Sequence, residues 1–183
     1  MSAEPPGPAL LVVRTDELGK ERFAQINTLV ERAFGRPFAE IWTDIGPGIH
    51  VVAEIAGEPV GHAMVVERGL EIGRVALRCG YVENVATDPA RHRQGIGTVV
   101  MRRIGEVIAS GFEIGALATG THAFYEQLGW ETWRGPTYAR RDGNLMRTPG
   151  HDGDVMVLRV PATPPLPGVE EPIVVGWRRG ELW

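Results

Sequence analysis

From Val85 to Thr98 the chain reads Val-Ala-Thr-Asp-Pro-Ala-Arg-His-Arg-Gln-Gly-Ile-Gly-Thr, an apolar strand end that runs through a turn into a helix start. Gly95 and Gly97 let backbone approach a ligand closely. At a helix start they leave unpaired N–H groups at the positive end of the dipole, which suits a pyrophosphate. Arg91 and Arg93 add positive charge at the same mouth. The loop is not a Walker loop, because no Gly-Lys-Ser/Thr follows, and it lacks the three glycines of the dinucleotide fingerprint. Two glycines at a helix start also serve plain packing, so the neighbouring segments must supply the rest.

Before the loop, residues 51–56, 60–66 and 75–86 are apolar runs separated by Gly57-Glu58-Pro59 and by a turn around Gly69 to Gly73, which predicts an antiparallel meander. After it, Val99, Val100, Ile104, Val107 and Ile108 form the apolar stripe of a helix over 95–110. A short strand over 112–117 and a short helix over 121–128, closed by Gly129, come next. At the front, residues 1–8 read as a Pro-rich tail and 9–14 as a buried strand. Thr15 and Asp16 offer an N-cap to a helix reaching Phe34, with Gly35 placed as its C-cap, and residues 38–43 suit a second short helix. Beyond Trp130 the chain turns Gly-, Pro- and Arg-rich, with a strand at 155–160, a stiff connection over 161–167, and Ile173-Val-Val175 before the final stretch. That last segment can complete its own sheet or exchange with a neighbour. Together these elements predict an α+β domain over 9–183 with a mixed, mostly antiparallel sheet flanked by helices.

Composition narrows the function. The chain has 183 residues, a formal net charge of −4 and one cysteine. Cys79 has no partner for a disulfide or a Cys-based zinc site. The balance is net acidic, which argues against sequence-independent nucleic-acid binding. The longest early apolar run, residues 9–13, is too short for a membrane span or a signal peptide, so the chain reads as soluble and cytoplasmic. Of 19 basic residues only Lys20 is a lysine, a chain-wide preference best explained by codon bias.

The 85–98 stretch resembles the acetyl-CoA signature of the GNAT N-acetyltransferase superfamily, Arg/Gln-x-x-Gly-x-Gly/Ala after a strand, with His92, Gly95 and Gly97 at the corresponding positions. Ala123-Phe-Tyr-Glu-Gln-Leu-Gly-Trp130 is similar to the family's second signature. His92 departs from the usual arginine or glutamine. The resemblance implies a metal-free ternary complex in which acetyl passes from acetyl-CoA to an amine, with the cofactor held where two strands splay. It further implies that Val85, Ala86 and Thr87 meet the pantetheine arm, while His92, Arg93, Gln94, Gly95, Ile96, Gly97 and Thr98 cradle the phosphates. An attacking amine must lose a proton and a departing thiolate gains one. Glu83, on the strand entering the loop, is placed to draw the first, directly or through water. Tyr125, in the second signature, is a natural donor for the second. His62 and His122 are alternatives for proton transfer.

A closer resemblance is to the aminoglycoside 2′-N-acetyltransferases. It rests on Ala76-Leu-Arg-Cys-Gly-Tyr-Val-Glu83, Arg147-Thr-Pro149 and the ending Gly176-Trp-Arg-Arg-Gly-Glu-Leu-Trp183. It implies that Glu181, Trp183 and the terminal carboxylate grip substrate amines, with a homodimer as a family expectation. The family carries acids after its first helix, where this chain has Gly35-Arg-Pro-Phe38 and only Glu40 nearby; after Arg-Thr-Pro, Gly150-His151-Asp152 keeps one carboxylate. Arg36 and His151 would suit a substrate with its own carboxylate and fewer amines. Kasugamycin has that character, and enzymes modifying it form a branch of the family. The alternatives are a GNAT enzyme for another small amine or a protein N-terminus, and a non-catalytic CoA-sensing module.

Overall fold

The meander predicted between residues 50 and 86 is the centre of the structure. A computed structural model describes residues 7–183, so the predicted tail, apart from Gly7 and Pro8, lies outside the described residues. The meander consists of β2 (Ile49–Ile55), β3 (Glu58–Ile72) and β4 (Val75–Thr87), all antiparallel. β3 does not stop at Gly69 as the turn signals suggested; it continues to Ile72, because Leu70 and Ile72 still face the core.

Around the meander lie β1 (Ala9–Arg14), α1 (Lys20–Phe34), α2 (Ala39–Ile45), α3 (Ile96–Gly111), β5 (Ile114–Ala118), α4 (His122–Glu126), β6 (Glu131–Thr132), β7 (Thr137–Arg141), β8 (Asn144–Arg147), β9 (Val155–Arg159) and β10 (Ile173–Gly176). They make one mixed sheet in the order β6-β9-β5-β4-β3-β10-β7-β8, with β2 and β1 added beside the first half of β3. Among the described residues only β4–β5 and β10–β7 pair in parallel. The fold is α+β, as expected.

Alternation along β2 divides the two faces. Val51 and Ala53 pack with Ile96, Val100, Ile104 and Ile108 of α3, while Val52 packs with Ile26 and Val30 of α1. Gly61 permits the close approach of α3: a Cβ there would lie 2.5 Å from the Ile96 side chain. A third cluster, on Met64, Tyr81 and Trp133, holds the second half of the sheet and receives Trp183.

Several expectations are corrected. β1, read as buried, is an edge strand with Leu10 and Val12 exposed, since an apolar run does not say how many of its faces are covered. The N-cap is Gly19 rather than Thr15 or Asp16; Thr15 lies in a 3-10 turn, and its hydroxyl accepts from Gly48 N–H at 2.9 Å instead. Gly35 does close α1, in the left-handed conformation at φ 66°. Three short strands hid in the Gly/Pro/Arg-rich region. β7 and β8 form a hairpin through Asp142-Gly143, both at positive φ (50° and 81°), a turn pair preceded by Arg140 and Arg141 rather than by an apolar alternation. β10 completes its own sheet, between β3 and β7. Among the described residues no helix is long and apolar enough to cross a membrane.

Candidate active site

β4 and β5 hydrogen-bond only where Cys79, Gly80 and Tyr81 meet Ile114, Gly115 and Ala116. Beyond Tyr81 they diverge, and a cavity of about 450 Å³ fills the gap, with Val82, Glu83, Asn84 and Val85 on one wall and Leu117, Ala118 and Thr119 on the other. A second cavity, about 700 Å³, runs along Val85, Ala86 and Thr87 to Arg91, His92, Arg93, Gly95, Ile96, Gly97 and Thr98. Phe34, Val85 and Thr121 line both, so the two form one continuous groove.

The second cavity is built by backbone. Gly95 caps α3 at φ 77°, a conformation that costs glycine nothing, and Arg93 also has positive φ (62°). Gly97 is on the lining, where a Cβ would touch the Phe124 ring and Thr87 Oγ1, both at 3.4 Å, and project into the groove between them. Two arginines and a bare helix N-terminus on one concave surface fit the diphosphate of acetyl-CoA. Of the residues expected to cradle it, Gln94 alone is not on the lining; it is exposed.

The first cavity is built by side chains from distant segments. A bulge turns the β4 wall: Met64 pairs with Glu83 but His62 with Ala86, so Asn84 and Val85 oppose the single residue Ala63. Asn84 adopts φ 52°, a conformation asparagine tolerates better than most residues. Burial raises the Glu83 carboxyl above its ordinary range, and the Arg178 guanidinium, with Nη2 2.6 Å from Oε1, pulls partly the other way. Tyr125 lines the opposite side on α4, its hydroxyl pushed up to about 12 by burial, so it keeps its proton across the physiological range.

The chain end forms one side of the cavity. Arg68 donates to the carbonyls of Gly176 (2.7 Å) and Leu182 (2.8 Å), while Trp183 is buried with Nε1 donating to Thr148 Oγ1 at 3.0 Å. This strap places Arg178, Gly180, Glu181 and Trp183 on the lining, and Arg36 reaches Glu181 at 3.4 Å across the mouth.

The structure thus brings together Glu83, Tyr125, Arg36, Glu181 and Trp183. It does not bring Glu40, His151 or Asp152 to the lining. Glu40 is exposed on α2. Asp152 is bound by Arg147 and by the Thr137 N–H and hydroxyl (3.0 Å each), which hold it well below the usual carboxylate range. His151 sits in the adjoining 3-10 turn. Of the alternative proton carriers, His62 is buried and lowered by that burial to about 3, and His122 bonds the Gly153 carbonyl at 2.7 Å. Sequence reasoning missed Asp44, which lines the cavity from the end of α2 next to Gly180, and Arg178. Arg178 stood in the quoted chain ending, whereas nothing local marked Asp44. Among the described residues no group of three or more His, Cys, Asp or Glu is placed to hold a metal.

Comparison with known proteins agrees with this geometry. Residues 46–132 match the acetyltransferase (GNAT) domain family. The chain is 34% identical over 177 residues to an aminoglycoside 2′-N-acetyltransferase of Mycolicibacterium fortuitum, covering 94% of this chain and 90% of that protein. Its fold superposes on the GNAT family N-acetyltransferase YhbS from Escherichia coli, solved in complex with CoA, with TM-score 0.67 and 16% identity over 97% of this chain and 93% of that one. Eis1 from Mycobacterium abscessus gives 0.59 at 19% identity; 71% of this chain is covered, but only 33% of the longer protein. The family match over residues 46–132 and the 34% identical relative agree with the fold, and this chain belongs to the GNAT family and is an acetyl-CoA-dependent N-acetyltransferase.

Proposed function

We propose that the amine acceptor is an aminoglycoside, acetylated at its 2′-amino group, and that kasugamycin is favoured over the more highly charged members of that class. The observation carrying this reading is the mixed charge of the first cavity: Asp44, Glu83 and Glu181 stand on its lining beside Arg36 and Arg178. Carboxylates bind ammonium groups, and guanidiniums bind an acidic group on the same molecule. With Glu40, Asp152 and His151 off the lining, the anion-binding part falls to Arg36 and Arg178. The relative from M. fortuitum supports the 2′-N-acetyl assignment. The chain end lies along one side of the cavity, which narrows the room for a peptide and counts against a protein N-terminus as the acceptor.

Acetyl-CoA, when bound, supplies an acetyl thioester. Glu83 takes the proton of the substrate ammonium, directly or through a water, and its raised pKa makes it a better base than an exposed glutamate. Tyr125 holds its proton on the facing wall and offers it as a hydrogen bond where negative charge develops on the leaving sulfur. Acetylation turns a cation into a neutral amide, and we propose antibiotic resistance as its consequence. Steady-state acetylation of kasugamycin, gentamicin and tobramycin tests the reading. It predicts the highest kcat/KM for kasugamycin; equal or better turnover of the other two contradicts the preference, and no turnover of any contradicts the substrate class.

A further inference from the structure

Two ionisable rings in the core take no part in the reaction described above. His50 on β2 and His62 on β3 are both fully buried, on the face covered by α1 and α2, with the Trp42 ring packed 6.2 Å and 5.8 Å from them. They form a chain: Thr15 Oγ1 lies 2.9 Å from His50 Nε2, His50 Nδ1 lies 3.0 Å from His62 Nε2, and His62 Nδ1 lies 2.9 Å from the Asn84 carbonyl oxygen. A carbonyl only accepts, so the proton of His62 sits on Nδ1. Its Nε2 then accepts from His50 Nδ1–H, and His50 Nε2 accepts from the Thr15 hydroxyl. Gly48 N–H starts the series by donating to Thr15 Oγ1. The Thr15 hydroxyl also lies 3.1 Å from the Gly48 carbonyl, but with His50 protonated on Nδ1 its single proton goes to His50 Nε2 at 2.9 Å, so the donors of the chain point one way, with both rings neutral and in the Nδ1–H form.

The chain ends at the bulge. Neither Asn84 nor Val85 has a register partner on β3, so the Asn84 carbonyl lies where β4 leaves the regular ladder. A buried carbonyl outside the ladder needs another donor, and His62 provides it. The bulge also fixes which way β4 faces. Tyr81 and Glu83 lie opposite Val66 and Met64; the extra residue then returns Ala86 to that same face, opposite His62, while Val85 packs towards α3.

We propose that His50 and His62 are positioning residues for acetyl transfer: their one-way chain holds the backbone at Asn84, the residue that follows Glu83 at the bulge, and so keeps the Glu83 carboxylate in place in the cavity. The chain does not move protons, because it ends on a peptide carbonyl that has none to pass on. This inference rests on the reading of Glu83 as the base.

The test compares His62→Phe, which removes both hydrogen bonds, with His62→Asn, whose amide nitrogen replaces Nδ1 as a donor. His62→Phe should lower kcat at least tenfold with KM for the amine and the dissociation constant of acetyl-CoA within about threefold, and His62→Asn should recover most of that loss. Nitrogen-15 NMR of the substrate-free protein should show both rings as neutral Nδ1–H tautomers, a readout that needs neither turnover nor a folded variant. Wild-type kcat in His62→Phe, equal losses in the two variants, or an Nε2–H tautomer on either ring overturns the proposal. Glu83→Gln, run alongside, separates the two readings. Loss of turnover there with full turnover in His62→Phe overturns the positioning inference alone; full turnover in Glu83→Gln overturns the base assignment and the inference with it.

Discussion

The two halves of the groove are built differently. The half proposed as the phosphate site is lined mainly by one stretch, 85–98, which offers a helix N-terminus, two glycines and two arginines, with Phe34, Thr121 and Phe124 beside it. The amine half gathers side chains from the α1–α2 connection, α2, β4, β5, α4 and the chain end. Backbone recognition needs little more than small residues at fixed positions, so many sequences can supply it. Side-chain recognition depends on which residues happen to meet, so it can change from one relative to the next. The difference teaches where specificity lies: the cofactor half reports the family, and the amine half reports the substrate.

Substitutions in each half should therefore separate cleanly. The largest effect is expected for Glu83→Gln, with kcat falling about 10²- to 10⁴-fold, the usual contribution of a positioned base, while acetyl-CoA titrated by calorimetry binds as before. Gly97→Asp should do the reverse. An anion at the α3 N-terminus, on the groove lining, would weaken acetyl-CoA binding roughly a hundredfold, the ~3 kcal/mol of charge-assisted hydrogen bonds, with little change in melting temperature. If Gly97→Asp instead changes the preference among amines, the division between the halves is wrong.

Legibility followed the same division. The meander, α3 and the 85–98 loop could be read because each declares itself within one window, through alternation, a helical stripe or paired glycines. Glu83 and Tyr125 were legible as members of such windows. Asp44 was not, because only the return of the chain end brings Gly180 against it. Asp152 misled for the converse reason: its neighbours suggested a free carboxylate, whereas Arg147 and Thr137 occupy it. The β7–β8 hairpin was not legible because neither Thr137–Arg141 nor the exposed Asn144–Arg147 shows an apolar alternation.

Two smaller effects sharpen the picture of the amine half. Tyr125→Phe should lower kcat about ten- to a hundredfold, the value of one hydrogen bond to a charged group, measured at saturating amine and acetyl-CoA. Arg36→Ala removes an exposed ion pair at 3.4 Å, and chemical denaturation should show a change below about 0.5 kcal/mol. Its effect belongs to substrate choice: KM for an amine bearing a carboxylate should rise, and KM for one without it should not.

The central claim, that Glu83 is the base, is tested most directly by the pH dependence of kcat in the wild-type enzyme and in Glu83→Gln. Burial raises the Glu83 pKa above that of an ordinary glutamate, and the carboxylate is the active form, so activity should be gained as pH rises through that elevated value. The account predicts an acid limb centred above pH 4.5 in the wild type, the ordinary value for the group, and its loss from the residual activity of Glu83→Gln. The same limb at the same pH in both proteins would contradict it.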